Sequence, residues 1–459
     1  MTILPSWPLK PESGMKPIRL GLIGCGTVGT GVARLLLQQR ELLLARVGIP
    51  LHLARVADLD TASDRGVQFE PGVFINDAWQ VIDDPQIDIV IEMVGGETFA
   101  KDLILTAIGK GKHVVTANKA LLAKHGNQIL ETAGAAGVDL AFEASVCGCM
   151  PIIKTLREAL VANHISAMTG ILNGTSNYIL SKITEAHVPF ETALAEAQVQ
   201  GYAEADPTLD VQGFDAAHKL AILTALAYGT PINLDDIYIE GITGITPLDI
   251  QLAAEFGYRI KLLAISKFEN GQIEARVHPT MIPMDNILSN VSGTLNAITV
   301  SGHAVGNLFL SGHGAGMMPT ASAVLSDIVD LARNIHYGAV GRIPLLGHHR
   351  PRVGAVSIKP LAENEMRYYF RFSALDKPGV LSAIAGILGR HGISIESVQQ
   401  KGRKSSGTVP VVMMSHRVKE ADVRNAFAEI KALDTVGADP ILIRIEDDRP
   451  ENQPISSGR

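Results

Sequence analysis

Ile18-Arg19-Leu20-Gly21-Leu22-Ile23-Gly24-Cys25-Gly26-Thr27-Val28-Gly29 carries the strongest fold signal in the chain. Its first six residues are apolar enough to read as a strand. Three glycines follow in G-x-G-x-x-G spacing, and an apolar-periodic segment then runs towards Val47 as a helix. The motif alone is weak; between a strand and a helix it acquires a mechanism. Gly24 permits the tight turn, Gly26 lets the backbone approach a pyrophosphate, and Gly29 lets helix and strand touch. The free N–H groups at Thr27 and Val28, with the positive end of the helix dipole, then receive phosphates.

Residues 51–56 read as a second strand ending near Asp58, the candidate for a ribose hydroxyl; an exposed turn-capping Asp is the other reading. A carboxylate there repels a 2′-phosphate and favours NAD, whereas Arg55 and Arg65 leave NADP open. Residues 88–93 and 113–116 are further strands with helical segments between. That alternation implies crossover connections and a doubly wound parallel sheet, an α/β Rossmann-type dinucleotide-binding domain over 16–145. The region 146–312 mixes helices (190–200, 214–228) with strands (261–268) and reads as an α+β substrate-binding and dimerisation domain. Gly312-His313-Gly314-Ala315-Gly316 opens a helix over 320–334 that is expected to complete the first domain (313–340). A Gly- and Pro-rich linker spans 341–364, and its His348-His349-Arg350 patch reads as a solvated loop. Over 365–447 the order strand (368–374), helix (380–391), strands (393–401 and 408–414), helix (419–432), strand (440–445) is βαββαβ, a ferredoxin-like domain.

Bulk properties narrow the function. A chain of 459 residues exceeds one hydrophobic core. Forty Lys and Arg against 47 Asp and Glu, without a strong basic run, argue against nucleic acid as the main partner. Three cysteines cannot form a disulfide framework, and no apolar run is long enough for a membrane helix. Residues 1–15 read as a loose extension and not a signal peptide, and the tail from Asp447 as frayed. A soluble cytoplasmic protein is expected.

The densest polar cluster is Gly201-Tyr202-Ala203-Glu204-Ala205-Asp206-Pro207-Thr208-Leu209-Asp210, followed by Gly213-Phe214-Asp215-Ala216-Ala217-His218-Lys219-Leu220. With a helix from Phe214, Asp215 and Lys219 share a face at i and i+4. Spacing alone leaves two readings, a surface ion pair worth a few tenths of a kcal/mol or a working pair.

These words resemble the homoserine dehydrogenase family. So do Thr116-Ala117-Asn118-Lys119-Ala120, Gly170-Ile171-Leu172-Asn173-Gly174-Thr175-Ser176-Asn177-Tyr178 and the turn Gly314-Ala315-Gly316, in matching order across residues 18–340. The resemblance implies reversible oxidation of L-homoserine to L-aspartate 4-semialdehyde with NAD or NADP, in threonine and methionine biosynthesis. It makes Lys219 the acid/base residue, with Asp215 orienting it and the substrate. Glu204 receives the substrate amino group, with Asp210 in the same substrate-binding set. Lys119 lies near nicotinamide and substrate, and Gly201 and Gly316 near the cofactor; a solvated strand-end lysine is the plain alternative for Lys119. A lysine base needs its pKa lowered by burial or a second cation such as Lys119, whereas Asp215 favours the ammonium that donates in reduction. The wording departs from the family at Ser176, often threonine, and at Ala57, where NADP-preferring relatives often carry arginine.

In Glu143-Ala144-Ser145-Val146-Cys147-Gly148-Cys149-Met150 the resemblance implies a sodium site of the Glu143 carboxylate with the carbonyls of Val146, Gly148 and Met150. A glutamate holding no metal is the alternative. Cys147 and Cys149 are too closely spaced for zinc. His218 reads as packing, and His164, His303 and His313 have no partner that the sequence identifies. Leu375-Asp376-Lys377-Pro378-Gly379-Val380-Leu381 with Gly389-Arg390-His391-Gly392-Ile393-Ser394-Ile395 resembles an ACT domain, which implies feedback by an amino acid, L-threonine foremost, near Gly379 and 394–397; a purely dimer-forming domain is the alternative. Such a chain is expected to be a homodimer or homotetramer. A non-catalytic cofactor-binding sensor and a related semialdehyde dehydrogenase are the other functions considered. Glu204, Asp215 and Lys219 together speak against the sensor.

Overall fold

In the computed structural model, which describes residues 16–349, 356–400, 407–437 and 440–447, the chain divides into two units. The readings of the N-terminal extension, of Arg350 and Lys401, and of the tail beyond Asp447 lie outside the described residues.

The first unit comprises residues up to 163 with 221–234 and 312–355. Its strands are β1 (Ile18–Ile23), β2 (Leu51–Ala57), β3 (Phe74–Ile75), β4 (Ile89–Glu92), β5 (His113–Thr116) and β6 (Leu140–Ala141). They form a parallel sheet in the order β3-β2-β1-β4-β5-β6. The order reverses between β1 and β4, and a sheet so wound opens a crevice at the carboxyl ends of those strands. β4 is buried at every position, as a central parallel strand must be. The helix expected to run to Val47 is two, Thr27–Gln38 and Arg40–Val47. Gln39 leaves helical geometry (φ −107°, ψ 23°) where Arg40 and Glu41 interrupt the apolar face. The second piece buries only Val47 and ends on the left-handed Gly48.

The helix Met317–His336 is longer than its apolar pattern suggests and belongs to this unit. Ala321, Val324, Leu325 and Ile328 join Leu20, Leu22, Val32 and Ile91 in one core. Gly31 lets it lie close to Thr27–Gln38, because a Cβ there would fall 2.9 Å from Met317 Cγ.

The second unit (164–220, 235–311 and 356 onward) holds β7 (Ile165–Ile171), β8 (Tyr238–Ile239), β9 (Tyr258–Glu269), β10 (Gln272–Pro283), β11 (Leu295–Gly302), β12 (Gly306–His313), β13 (Glu365–Leu375), β14 (Ile395–Gln400), β15 (Thr408–Ser415), β16 (Val418–Lys419) and β17 (Ile441–Ile445). Most join one sheet in the order β12-β11-β7-β9-β10-β17-β13-β15-β14. The run β17-β13-β15-β14 is the 4-1-3-2 order of a ferredoxin-like sheet, with helices Val380–Arg390 and Glu420–Lys431 supplying its core. β17 lies parallel to β10 and antiparallel to β13, so the C-terminal sheet continues the middle one. Of the expected linker, Ile358 bridges to Ile273 and Lys359 N donates to the Ile273 carbonyl.

Candidate active site

The turn after β1 has the shape its glycines imply. Gly24 sits at φ +92°, and a Cβ there would come within 2.6 Å of the Met93 carbonyl. A Cβ on Gly29 would lie 1.9 Å from the Gly24 oxygen, whereas one on Gly26 would meet no atom within 4 Å. Gly26 is therefore the open floor of the turn, and it heads the helix Thr27–Gln38 without a side-chain cap. Those free N–H groups suit an anion, and the residues fit a dinucleotide.

Asp58 stands beside this turn, at the end of β2. Its carboxylate accepts from Cys25 N at 2.6 Å and Asp60 N at 3.0 Å, and pairs with Arg65 at 3.2 Å. Glu92, at the end of β4, was not singled out in the sequence. It is fully buried and accepts from Val94 N, Gly95 N and Thr116 Oγ1 at 2.6–3.1 Å, which shapes the loop facing Gly24. A carboxylate closing an apolar strand was the available signal. Lys119, half-buried, is the first residue of helix Lys119–Ala136, which Asn118 caps through Leu121 N. Gly316, at φ +121°, heads the helix Met317–His336.

The second unit brings together a different set. The helix Phe214–Tyr228 forms as its pattern predicts, and Lys219 Nζ lies 2.6 Å from Asp215 Oδ2. Both residues are buried, so the surface-pair reading fails: the helix turns this face inward. Lys219 Nζ also donates to the Leu172 carbonyl at 2.6 Å, which takes a further bond from Asn296. Asn173 Nδ2 bridges Asp210 (2.7 Å) and Asp215 (2.8 Å). The Asp210 carboxyl is pushed up by burial, drawn back by Asn173, and pushed up again by Asp215. The sequence showed the Asn173 motif but not this bridge, because its members come from three separate segments. Glu204 and Gly201 are exposed on a turn whose Tyr202 carbonyl accepts from Thr175 Oγ1 at 2.7 Å. That bond ties the turn to the helix Gly174–Ala186, next to Asn173.

The segment 143–150 belongs to the first unit. Glu143 is buried, its carboxyl accepts from Ile153 N and Lys154 N at 2.8 Å each, and burial followed by Asp327 pushes its pKa to about 7. The Met150 carbonyl accepts from Ile152 N. Cys147 and Gly148 have positive φ, and Gly148 lies against the Gly314 carbonyl. Among the described residues no group of three or more His, Cys, Asp or Glu side chains is placed to hold a metal. His218 is buried. His164 and His303 have the partner their sequence context concealed, each other: the His164 main-chain N donates to His303 Nδ1 at 2.9 Å, just beyond the paired ends of β7 and β11. Among the described residues no helix is long and apolar enough to cross a membrane.

Comparison with known proteins covers nearly all of this framework. The family model described as homoserine dehydrogenase, NAD binding domain, matches residues 24–143; homoserine dehydrogenase matches 151–329, and ACT domain 368–435. The homoserine dehydrogenase of Pseudomonas aeruginosa is 44% identical over 435 residues, 94% of this chain and 99% of that protein. That of Neisseria gonorrhoeae is 44% identical over 432 residues, with the same two coverages. Among solved structures, a homoserine dehydrogenase from Thiobacillus denitrificans superposes with a TM-score of 0.89 at 44% identity, covering 95% of this chain and 99% of that one.

Proposed function

The chain belongs to the homoserine dehydrogenase family, an NAD(P)-dependent oxidoreductase interconverting L-homoserine and L-aspartate 4-semialdehyde, and from that premise we propose how its residues divide the reaction. The observation that carries the proposal is the burial of Lys219 between the Leu172 carbonyl and Asp215. Lys219 is the proton carrier. In reduction its ammonium gives a proton to the aldehyde oxygen; in oxidation the neutral amine takes the hydroxyl proton. Asp215 aims the amine and favours its charged form, the donor in reduction. Glu204 and Asp210 receive the substrate ammonium, Glu204 from its exposed turn and Asp210 from the Asn173 bridge. Lys119, Gly201 and Gly316 are assigned to the nicotinamide and substrate surroundings.

Gly24, Gly26, Thr27, Val28 and Gly29 hold the pyrophosphate, with Asp58 towards the ribose. The bound cofactor supplies or accepts the hydride. Arg65 beside Asp58 gives a 2′-phosphate a cationic partner, so both NAD and NADP are read as substrates. For the sodium ion, the oxygen-only donors are of the right chemical type. The fit is incomplete, however: the Glu143 carboxyl and the Met150 carbonyl already accept backbone N–H groups. No step of the reaction is assigned to the ion.

The ACT domain is read as the site of an amino-acid effector, L-threonine first, near Gly379 and Ser394. Gly379 heads the helix Val380–Arg390 at φ +89° with no side-chain cap. The enzyme is read as a cytoplasmic homodimer or homotetramer, sized by light scattering.

The deciding assay follows reduced-cofactor absorbance with L-homoserine and NAD or NADP in parallel. Homoserine-dependent reduction is expected with at least one. No reduction with either, across neutral to alkaline pH and with sodium present, would overturn the assignment. Added threonine should slow the full-length enzyme, and Gly379→Val should lose that response while keeping uninhibited turnover; undiminished inhibition would move the effector elsewhere.

A further inference from the structure

Three side-chain hydrogen bonds converge on Asn173, and each uses a different part of its amide. Its backbone is extended (φ −123°, ψ 115°) and caps the helix Gly174–Ala186, its Oδ1 accepting Ser176 N at 2.7 Å. That bond fixes the amide orientation. With the oxygen committed to an N–H donor, the NH2 group must face the carboxylates; a flipped amide would set three acceptors against one another. The two N–H groups then reach Asp210 Oδ1 at 2.7 Å and Asp215 Oδ2 at 2.8 Å. Asp215 Oδ2 is also the oxygen that pairs with Lys219.

The backbone supports this geometry. A Cβ on Gly174 would come within 2.6 Å of the Thr294 carbonyl, so the chain after Asn173 is held tightly against its neighbour. The carbonyl just before it, Leu172, receives the second Lys219 bond and one from Asn296. Asn173, Asp215 and Lys219 are each more than nine-tenths buried.

Two carboxylates drawn to a common point in a buried site repel each other, and the upward push of Asp215 on Asp210 is that repulsion. A neutral group with two donors, short enough to cap a helix as well, resolves it. Among side chains of this length only asparagine combines those properties.

We propose that Asn173 is a positioning residue for homoserine turnover: its amide clamps Asp210 and Asp215 together, and through Asp215 it aims Lys219. The inference rests on the reading of Lys219 as proton carrier. Asn173 touches neither reacting atoms nor cofactor in this role. The charged groups around it are Asp210 from the short helix Thr208–Val211 and Asp215 and Lys219 from Phe214–Tyr228. Ser176 and Thr175, on its own helix, and Asn296, on β11, are neutral.

Asn173→Asp tests this. Aspartate is as good an N-cap as asparagine, so the helix start survives. Both donors are lost, and a third carboxylate enters the cluster. At neutral pH kcat/KM for semialdehyde reduction should fall about a hundredfold, the scale for lost hydrogen bonds to charged groups. As pH is lowered into the carboxyl range, the new group takes up a proton and donates one bond again, so the deficit relative to wild type should narrow. Asn173→Ser keeps a cap and one neutral donor and should lose about tenfold at all pH values. Dinucleotide affinity should be unchanged in both. If Asn173→Asp tracks wild type across pH, or if both variants lose the same fraction in parallel with a fall in Tm, Asn173 is only a helix cap and the proposal is wrong. Lys219→Ala separates the two readings. Near-wild-type turnover there removes Lys219 from the mechanism. An inactive Lys219→Ala beside a wild-type-like Asn173→Asp sinks the Asn173 proposal alone.

Discussion

Of the cations buried against carboxylates in the second unit, Lys219 on Asp215 and Arg444 on Glu420 make an instructive contrast. Arg444 donates to both Glu420 oxygens at 2.9 and 2.5 Å, to Glu240 at 2.6 Å and to the Tyr238 hydroxyl at 3.3 Å. Glu420 is buried too and also receives Tyr368 and Arg424. Burial pushes the Glu420 carboxyl up, but the bonds from Arg444 hold it below its ordinary range. A guanidinium never releases its proton in a protein, so this contact is a clamp. It joins β17 and the helix Glu420–Lys431 to Glu240, beyond β8. Lys219 is a single ammonium on a flexible stem, and lysine can exchange its proton. Similar burial and similar partners thus make a clamp in one place and, on the function proposed above, a proton carrier in the other, and the chemistry of the cation distinguishes them.

The contrast can be broken most directly at Lys219. Lys219→Ala should reduce kcat about a thousandfold, within the range for a general acid–base residue, while dinucleotide affinity is unchanged. Lys219→Arg keeps the charge and loses proton exchange, and should be nearly as impaired. An active Lys219→Arg would make this contact a clamp like the other.

Removing the clamp should act on stability instead. Arg444→Met leaves Glu420 buried and is expected to cost about 3–5 kcal/mol in chemical denaturation. Turnover per folded molecule at low temperature should stay near wild type.

Lys261 supplies an intermediate case, a buried lysine held by the neutral Asn177 Oδ1 and Val291 carbonyl. Burial, then Arg259, pushes its pKa down to about 8. A depressed folded pKa favours the neutral amine, so its stabilising contribution is present above the unfolded value of about 10.4 and is lost as pH falls through about 8. The stability of wild type relative to Lys261→Met should therefore rise by a few kcal/mol between about pH 8 and pH 10. A difference independent of pH would mean that Lys261 does not titrate there.

The smallest effect belongs to Arg371, whose fork grips Asp249 at 2.6 and 3.0 Å. Arg371→Lys keeps the charge and should cost about 1 kcal/mol, measured as a shift in the denaturation midpoint.

Legibility in the sequence followed the range of the interactions. The cofactor turn is local: Gly24, Gly26 and Gly29 lie within six residues, and the constraints on Gly24 and Gly29 come from the turn itself or the segment that follows β4. The Asp215–Lys219 pair was visible as one helical turn, but its burial was not, since that depends on which face the helix turns inward. The Glu92 bond to Thr116 and the Asn173 bridge to Asp210 and Asp215 escaped because those partners are distant in the chain. The longest pairing, β9 with β10 over twelve residues each, was seen only as a short run at 261–268, since β10 carries arginine, histidine and threonine that break its apolar pattern.

From the sequence alone came the strand–helix alternation of residues 18–116, the glycine turn at the end of β1, the helical phase of Asp215 and Lys219, and the βαββαβ run at the C-terminus. These depend on backbone conformation and period, which a few consecutive residues dictate. The tertiary structure alone decided that Asn173 would hold two carboxylates at once, that β17 would lie against β10, and that Lys219 would be buried between Asp215 and the Leu172 carbonyl. Such contacts depend on the packing of segments far apart in the chain, and no local pattern carries that information.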